Sequence, residues 1–466
     1  MNGLREDATE LLRKLVRFDT VNPPGDERPA QEHLAGVLSA AGFQCELLGA
    51  EPGRPNLVAR LRGVDGSADS GPTLCYLGHV DTVLADAREW SHDPWSGDVA
   101  DGHLWGRGAI DMKSQVAAEV AAAASLARSG WRPARGELLI VAVVDEETGG
   151  GLGAEWITKN HPEKVRCDVL VNEGGGAVFE YGGPPARRLY GVCCAEKGVF
   201  RFTLTTEGVA GHASMPKMGE NALLKMAPLL ERLGARQPAY ELTAEPRAFL
   251  RGLGEDPADP RGAIARMAAE DPRLATVFEP MFGVTFTPTR IRASEKINVI
   301  PSRAELKVDC RVPPGLGEEE VLRGIKEVLE EEDRTSRSGE GRAAGNEDAG
   351  QGRGGRGAGG WRLDFTERVV GNRSPIDTPL MAAIGEWVSE HDPGAEVVPV
   401  ILPGFTDSRH FRDAFPECVA YGFFPQRHQS LFETMALMHG ADERIDVRDL
   451  GFAAEFYRDL ALRILG

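Results

Sequence analysis

Paired thiols, long apolar runs and positive charge are what this chain has little of. Its seven cysteines stand at 45, 75, 167, 193, 194, 310 and 418 with no Cys-x-x-Cys spacing. That pattern argues against a zinc–thiolate site and fits reduced, mostly buried thiols in the cytoplasm. No window approaches the roughly 18 uninterrupted apolar residues of a membrane-spanning helix, and none is expected. The first residues, Met1-Asn2-Gly3-Leu4-Arg5-Glu6-Asp7, set no apolar run behind a basic segment, so no secretory leader is expected. Lysine and arginine number 53 against 71 aspartates and glutamates, a formal net charge of −18. Such a balance argues against nucleic acid or an anionic membrane surface as partner.

What is present describes a globular protein: 466 residues, 42% hydrophobic and 27% charged, enough for two or three domains with a large core. The most informative stretch is Glu137 to Gly150, where the apolar run Leu138–Val144 breaks into Asp145-Glu146-Glu147 and then glycines. A run of that length, rich in β-branched residues, predicts a strand buried on both faces of a parallel sheet. Parallel sheets place their ligands at the carboxyl ends of the strands. Neighbouring side chains on an extended chain point to opposite sides. One glutamate can therefore face a ligand while the next faces whatever that ligand reacts with. Taken alone, the stretch also reads as an ordinary acidic loop.

Other elements end in the same way. Thr73–Leu77 stops at Gly78-His79-Val80-Asp81, and Asp168–Val171 stops at Asn172-Glu173-Gly174-Gly175-Gly176. Asp111 stands as a candidate N-cap before a strongly helical stretch that runs to Arg128, with Gly130 as its stop. His439 lies in Met438-His439-Gly440-Ala441-Asp442-Glu443, shortly before a terminal helix over Val447–Leu465 capped by Asp446.

The overall pattern is α/β, with a mostly parallel sheet. From about Val192 the texture changes to one-sided alternation, and the order β-α-β-β-α-β predicts a small two-layer α+β domain over 192–370. The main domain is then discontinuous, 1–191 and 371–466. Two insertions interrupt the smaller domain. Residues 234–280 read as loops and short helices, and the Gly/Arg/Ser/Glu-rich stretch 333–360 as a disordered surface loop without phosphate-cradle spacing.

Singly, His79 reads as a core histidine, Asp111 as a helix cap and Glu173 as a turn residue. Jointly these readings require several acids to crowd one sheet edge, which costs free energy unless they are protonated or bound to cations. Two imidazoles with three carboxylates suit a pair of divalent ions, zinc above all, with manganese or cobalt as alternatives.

The segments Leu77-Gly78-His79-Val80-Asp81-Thr82-Val83, Trp105-Gly106-Arg107-Gly108-Ala109-Ile110-Asp111-Met112-Lys113 and Asp145-Glu146-Glu147-Thr148-Gly149 resemble three signatures of the M20 metallopeptidase/deacylase family. That family groups carboxypeptidase G, aminoacylase-1, acetylornithine deacetylase and succinyl-diaminopimelate desuccinylase. The resemblance continues in order through Asn172-Glu173-Gly174-Gly175, Gly211-His212-Ala213-Ser214-Met215-Pro216, Asn298-Val299-Ile300-Pro301, Val308-Asp309-Cys310-Arg311-Val312 and Thr406-Asp407-Ser408-Arg409. It implies a zinc-peptidase catalytic domain with an inserted lid and dimerisation domain.

Residue by residue, the resemblance implies that His79 and Glu173 are terminal ligands of one metal, Glu147 and His439 of the other, and that Asp111 bridges them. Asp81 would accept the His79 N–H and fix its tautomer. Glu146 would be the general base for the attacking water. His212 would stabilise the oxyanion, in several members from the partner subunit of a homodimer. Arg311 and Asn298 would hold the substrate carboxylate, with Thr406 adding a hydrogen bond. Arg311 also reads as a strand arginine paired with a nearby acid. Asp145 is left as structural support. The chain departs from the desuccinylases at Glu196, where they carry an arginine, and an acid there would repel a succinyl carboxylate. The expectation is a cytoplasmic dinuclear hydrolase of N-acyl amino acids or dipeptides. The alternatives are a carboxypeptidase on longer peptides or a non-catalytic binding relative of the same fold.

Overall fold

A computed structural model describes residues 2–64, 71–330 and 360–466. The loop expected at 333–360 lies, apart from Gly360, outside the described residues. The chain divides into two compact units. Unit 1 comprises Met1–Ala195, Ala248–Arg273 and Arg373–Gly466, and unit 2 comprises Glu196–Arg247 and Leu274–Asn372.

Unit 1 is built on a mixed sheet whose main strands are β1 (Gln44–Leu48), β2 (Asn56–Arg62), β3 (Thr73–His79), β4 (Glu137–Val143), β5 (Val169–Asn172), β6 (Ala177–Tyr181), β7 (Arg187–Glu196), β8 (Ala395–Leu402), β9 (Val419–Gly422) and β10 (Gln426–Ser430). Its order is β1-β2-β4-β3-β5-β9-β7-β6-β10, with β8 attached to β7. The central strands β4, β3, β5 and β9 run parallel, and β1, β2 and β7 join antiparallel.

The expectation for β4 holds on both faces. Leu138, Ile140 and Ala142 pack into a core shared with α1 (Asn2–Val16), α2 (Arg28–Ala40), α3 (Lys113–Arg128), α4 (Pro379–His391) and α5 (Val447–Leu465). Leu139, Val141 and Val143 face the opposite core, under the short helices Ala154–Asn160 and Ser408–Ala414. Each fully buried Leu, Ile or Val among them contributes about 1.5–3 kcal/mol, so neither face can turn to water.

Register then aligns the strand ends. Thr73 pairs with Glu137 and His79 with Val143, while Tyr76 pairs with Val171. The acids and the histidine that follow these strands therefore emerge at one sheet edge. Gly78 is what lets α3 close on that edge, because a Cβ there would lie 2.7 Å from Val116 Cγ2. Gly422 serves the neighbouring strand, since its Cβ would fall 1.8 Å from the Glu173 carbonyl oxygen.

Asp111 is not the N-cap of α3, as the sequence pattern suggested. The cap position is Met112, which makes no side-chain cap bond, and the Asp111 carboxylate is engaged elsewhere. Asp446 does cap α5, accepting the Arg448 N–H.

Unit 2 has the β-α-β-β-α-β order that its sequence predicts. Its antiparallel sheet runs Gly198–Val199, Arg303–Val312, Phe202–Glu207, Trp361–Phe365, with Thr285–Arg292 also paired to Arg303–Val312. Ala222–Ala235 and Glu318–Glu330 pack on one face around Leu204, Leu306, Val308, Leu229 and Ile325.

The assignment of all of 192–370 to the inserted domain needs one correction. Ala248–Arg273 belongs to unit 1. It is tied there by Glu255, which accepts the Tyr181 hydroxyl at 2.5 Å, and by Glu270, which accepts the Gly182 N–H at 2.9 Å.

All seven cysteines are free. Among the described residues no helix is long and apolar enough to cross a membrane.

The chain's re-entry into unit 2 is fastened by Lys197. Its fully buried ammonium donates to the carbonyls of Pro280 at 2.7 Å and Gly283 at 2.8 Å and to the Thr285 hydroxyl at 3.2 Å. Lys197→Met leaves these acceptors unmet in a dry environment. It is expected to destabilise unit 2 by about 1–3 kcal/mol, read as a lower urea midpoint for that unit's transition.

Candidate metal centre

The side chains that leave the strand ends meet around Asp111. His79, fully buried at the tip of β3, points Nε2 at Asp111 Oδ1, 3.1 Å away. His439 Nε2 lies 3.1 Å from the other oxygen, Asp111 Oδ2, and 3.2 Å from Glu147 Oε2. Glu173 Oε1 and Glu146 Oε2 each lie 3.9 Å from His79 Nε2. Two overlapping groups result, His79–Asp111–Glu147 and His79–Glu146–Glu173, each with ligand atoms within 4.8 Å of one another. Distance alone thus groups Glu146 with the ligands.

The electrostatics are those of a site short of positive charge. Burial pulls the His79 imidazole down, but its hydrogen bonds to Asp111 and Asp81 carry it well above its ordinary value. Hydrogen bonds to Asp111 and Glu147 push His439 up to about 10. Burial, the Glu173 charge and the charge of Asp407 push Glu146 well above the usual carboxylate range. Burial, Asp111 and Asp407 do the same to Glu173.

A divalent cation would serve the same carboxylates better, and one atom shows where capacity is left over. Glu147 Oε1 is buried with no hydrogen-bond partner. An orphaned carboxylate oxygen beside two imidazoles fits a hard-to-borderline metal ion.

Second contacts hold this arrangement. His79 Nδ1 lies 3.0 Å from the backbone oxygen of Asp81 and 3.4 Å from its carboxylate, so the nearer acceptor is the carbonyl. The Asp81 carboxylate accepts the backbone N–H groups of Glu146 at 3.2 Å and Glu147 at 3.1 Å. Asp145, at φ 69°, turns the chain, and its carboxylate accepts the Thr148 hydroxyl and the Leu152 N–H.

On the other side, the fully buried Glu443 accepts the N–H groups of Ile110 at 2.7 Å and Asp111 at 3.1 Å and pairs with Arg107 at 2.5 Å. Arg107 in turn donates to the carbonyls of His439 and Gly440. This clamp joins the Asp111 turn to the His439 turn, which itself sits at φ 57°.

Of the expected site residues, His79, Asp81, Asp111, Glu146, Glu147, Glu173 and His439 come together in unit 1. Thr406 is also in unit 1, buried, where its hydroxyl accepts the Ser408 N–H at 3.2 Å. Its neighbour Asp407 adds charge to both Glu146 and Glu173.

His212, Asn298 and Arg311 belong to unit 2. His212 is exposed on a ribbon in which it pairs with Val299, and the Asn298 carbonyl accepts the Ala213 N–H at 3.1 Å. The His212 Nδ1 accepts the Ser214 N–H at 3.3 Å, which leaves Nε2 to carry the ring proton. Arg311 stands on Arg303–Val312 and donates Nε to Asp309 Oδ2 at 2.8 Å, the pairing its alternative reading anticipates. Glu196 is buried.

A family model described as peptidase family M20/M25/M40 matches residues 75–463. The chain belongs to that family. Among M20 relatives, the succinyl-diaminopimelate desuccinylase of Xanthobacter autotrophicus is 36% identical over 237 residues, 48% of this chain and 56% of that protein. The enzyme of the same name from Wolbachia pipientis subsp. Culex pipiens is 30% identical over 237 residues, 49% of this chain and 54% of that protein. The chain spans about half the length of the curated relatives it matches.

Similar solved structures share the fold. The M20 family metallo-carboxypeptidase Sso-CP2 from Sulfolobus solfataricus has a TM-score of 0.65 at 17% identity, over 98% of this chain and 99% of that one. Human carnosine dipeptidase 1 has a TM-score of 0.62 at 16% identity, over 99% and 97%. The Bacillus subtilis YXEP protein, described as a dinuclear metal binding peptidase from the M20 family, has 0.60 at 13%, over 100% and 99%.

Sequence reasoning passed over the M20 chain's Glu443 and Arg107, although both lie inside quoted motifs, four residues from His439 and Asp111. Glu443→Ala is expected to strand Arg107 as an uncompensated buried cation and to free both turns. The predicted loss is about 3–5 kcal/mol in thermal or urea unfolding, with weaker divalent-ion binding by titration calorimetry.

Proposed function

We propose that the chain is a dinuclear metal-dependent hydrolase that cleaves an amide bond in a small substrate with a free carboxylate, an N-acyl amino acid or a dipeptide. The observation that carries this reading is Asp111, whose two oxygens each face a different imidazole, His79 and His439. A carboxylate so shared would let one residue serve two ions at once. His79 and Glu173 would hold one, His439 and Glu147 the other, and Asp111 both. Zinc is the ion this set favours, with cobalt and manganese as alternatives. Bound ions would supply Lewis-acid polarisation of the scissile carbonyl and would acidify water.

The chain's own residues do the rest. Glu146, adjacent to a ligand but free of that duty in this reading, takes the proton from the attacking water and returns it to the leaving nitrogen. Asp81 fixes the ring of His79 and the backbone of both glutamates. His212, with Nδ1 occupied by Ser214 and Nε2–H left as donor, would stabilise the developing oxyanion. Arg311, Asn298 and Thr406 would hold the carboxylate.

Amide hydrolysis is common to the activities for which the relatives and structural neighbours are named, which supports the reaction type. Glu196 counts against an acyl group tipped with a carboxylate. A lid and dimerisation role for unit 2 is supported by an apolar second face on Ala222–Ala235, where Leu223, Leu224 and Leu230 are exposed. Free cysteines support a cytoplasmic location.

Elemental analysis is expected to find about two equivalents of divalent ion per chain, lost in Glu147→Ala and in His439→Ala. Glu146→Ala should keep the ions and lower kcat by about 10²–10⁴-fold on N-acyl amino acids or dipeptides. A chain with no bound ion and chelator-insensitive hydrolysis would end this reading. In light scattering the protein should have about twice its 50.3 kDa chain mass, and Leu224→Glu with Leu230→Glu should halve it.

A further inference from the structure

The acids at the centre are backed by a buried chain of polar groups that the proposed mechanism does not use. Asn22 lies in an early loop and is buried, with its backbone N–H held by the Thr82 carbonyl at 2.9 Å. Its single amide nitrogen donates to two carboxylates, to Asp81 Oδ2 at 2.9 Å and to Asp145 Oδ1 at 3.1 Å, with the Thr148 hydroxyl a longer third acceptor at 3.4 Å. Only a group with two hydrogens on one atom can do this, and only a neutral one avoids adding a charge between them.

Asp145 Oδ1 also pairs with Arg54 Nη1 at 3.1 Å. Arg54 cannot swing away, because the fully buried Glu27 grips its Nε at 2.9 Å and its Nη2 at 2.6 Å. The series Glu27–Arg54–Asp145–Asn22–Asp81 therefore runs continuously to the carboxylate that holds the N–H groups of Glu146 and Glu147.

We propose that Asn22, backed by Arg54 and Glu27, is a positioning residue: by joining Asp81 to Asp145 it sets where the Glu146–Glu147 turn stands against His79. The proposal rests on the metallohydrolase reading of the site. Asp81 grips the turn at its middle and Asp145 begins it, so a link between those two carboxylates fixes the turn as a rigid piece. Without the link, two buried anions face each other across the site with no shared donor. The turn can then shift on Asp81, and with it the division between the glutamate that binds metal and the one that moves the proton. Displacement of a reacting group by about 1 Å is enough to cost on the order of 10²-fold in rate.

The test compares the wild-type chain, Asn22→Leu, Glu146→Gln and the double variant, all loaded with cobalt(II). Expected for Asn22→Leu is an unchanged ion content, kcat lower by about 10–100-fold with KM within about twofold, and a displaced cobalt(II) d–d absorption band as Glu147 moves. In the Glu146→Gln background the same substitution should lower kcat by clearly less than it does in the wild-type background, because most of its effect on rate passes through Glu146. Wild-type kcat and an unmoved cobalt band in Asn22→Leu overturn the proposal, as do losses that multiply in the double variant. If Asn22→Leu folds poorly, Asn22→Ser keeps one donor of two and should show the same signs at smaller amplitude. A wild-type chain that binds no ion or turns over no amide defeats the underlying reading instead, which keeps the two failures distinct.

Discussion

The arrangement depends on like charge held close at one sheet edge. Asp81, Glu146, Glu147 and Glu173 arrive there because β3, β4 and β5 are parallel, in register and largely buried, and Asp111 joins them from the turn before α3 that Glu443 holds. The core decides where the strands end, and the strand ends decide where the acids stand. Repulsion among those acids is a cost the fold accepts at the site and offsets around it, through backbone donors to Asp81 and Glu443 and through the imidazoles of His79 and His439 placed against Asp111. Binding and folding are coupled here by electrostatics. Whatever brings positive charge to Asp111 also relieves the strand ends.

Much of this could be read from residue order alone. The run Leu138–Val144 is long, branched and unalternating, so its double burial and its parallel neighbours follow from periodicity. The alternation that begins near Val199 likewise gives the two-layer unit. His79, Glu147 and Glu173 stood out as residues that follow apolar runs at a sheet edge, whereas Asp111 and His439 joined them as ligand candidates through the resemblance to the M20 family.

Other features could not be read, for physical reasons. Asp111 precedes a helix and has the right chemistry for a cap; the residue pattern alone does not choose between that and the bridging role the resemblance implies, and the positions of His79 and His439 show its carboxylate turned to them. Asn22, Glu27 and Arg54 carry no local pattern, because their partners lie tens of residues away and a buried ion pair has no period. Arg311 had two readings on equal terms, and its bond to Asp309 is a contact that charge spacing in a strand permits without requiring. Ala248–Arg273 looked like part of the insertion that contains it, because sequence adjacency says nothing about which core a pair of short helices will join.

That last segment has a consequence for how the protein can be taken apart or recombined. A simple insertion enters and leaves its host once, so it can be excised, exchanged with that of a relative or expressed alone by two cuts. Here the span from Glu196 to Asn372 carries within it a piece of the host, anchored through Glu255 and Glu270. A graft of the whole span would bring along a foreign patch for unit 1, and a deletion would uncover one. Unit-swapped chimaeras should therefore be cut at four points rather than two.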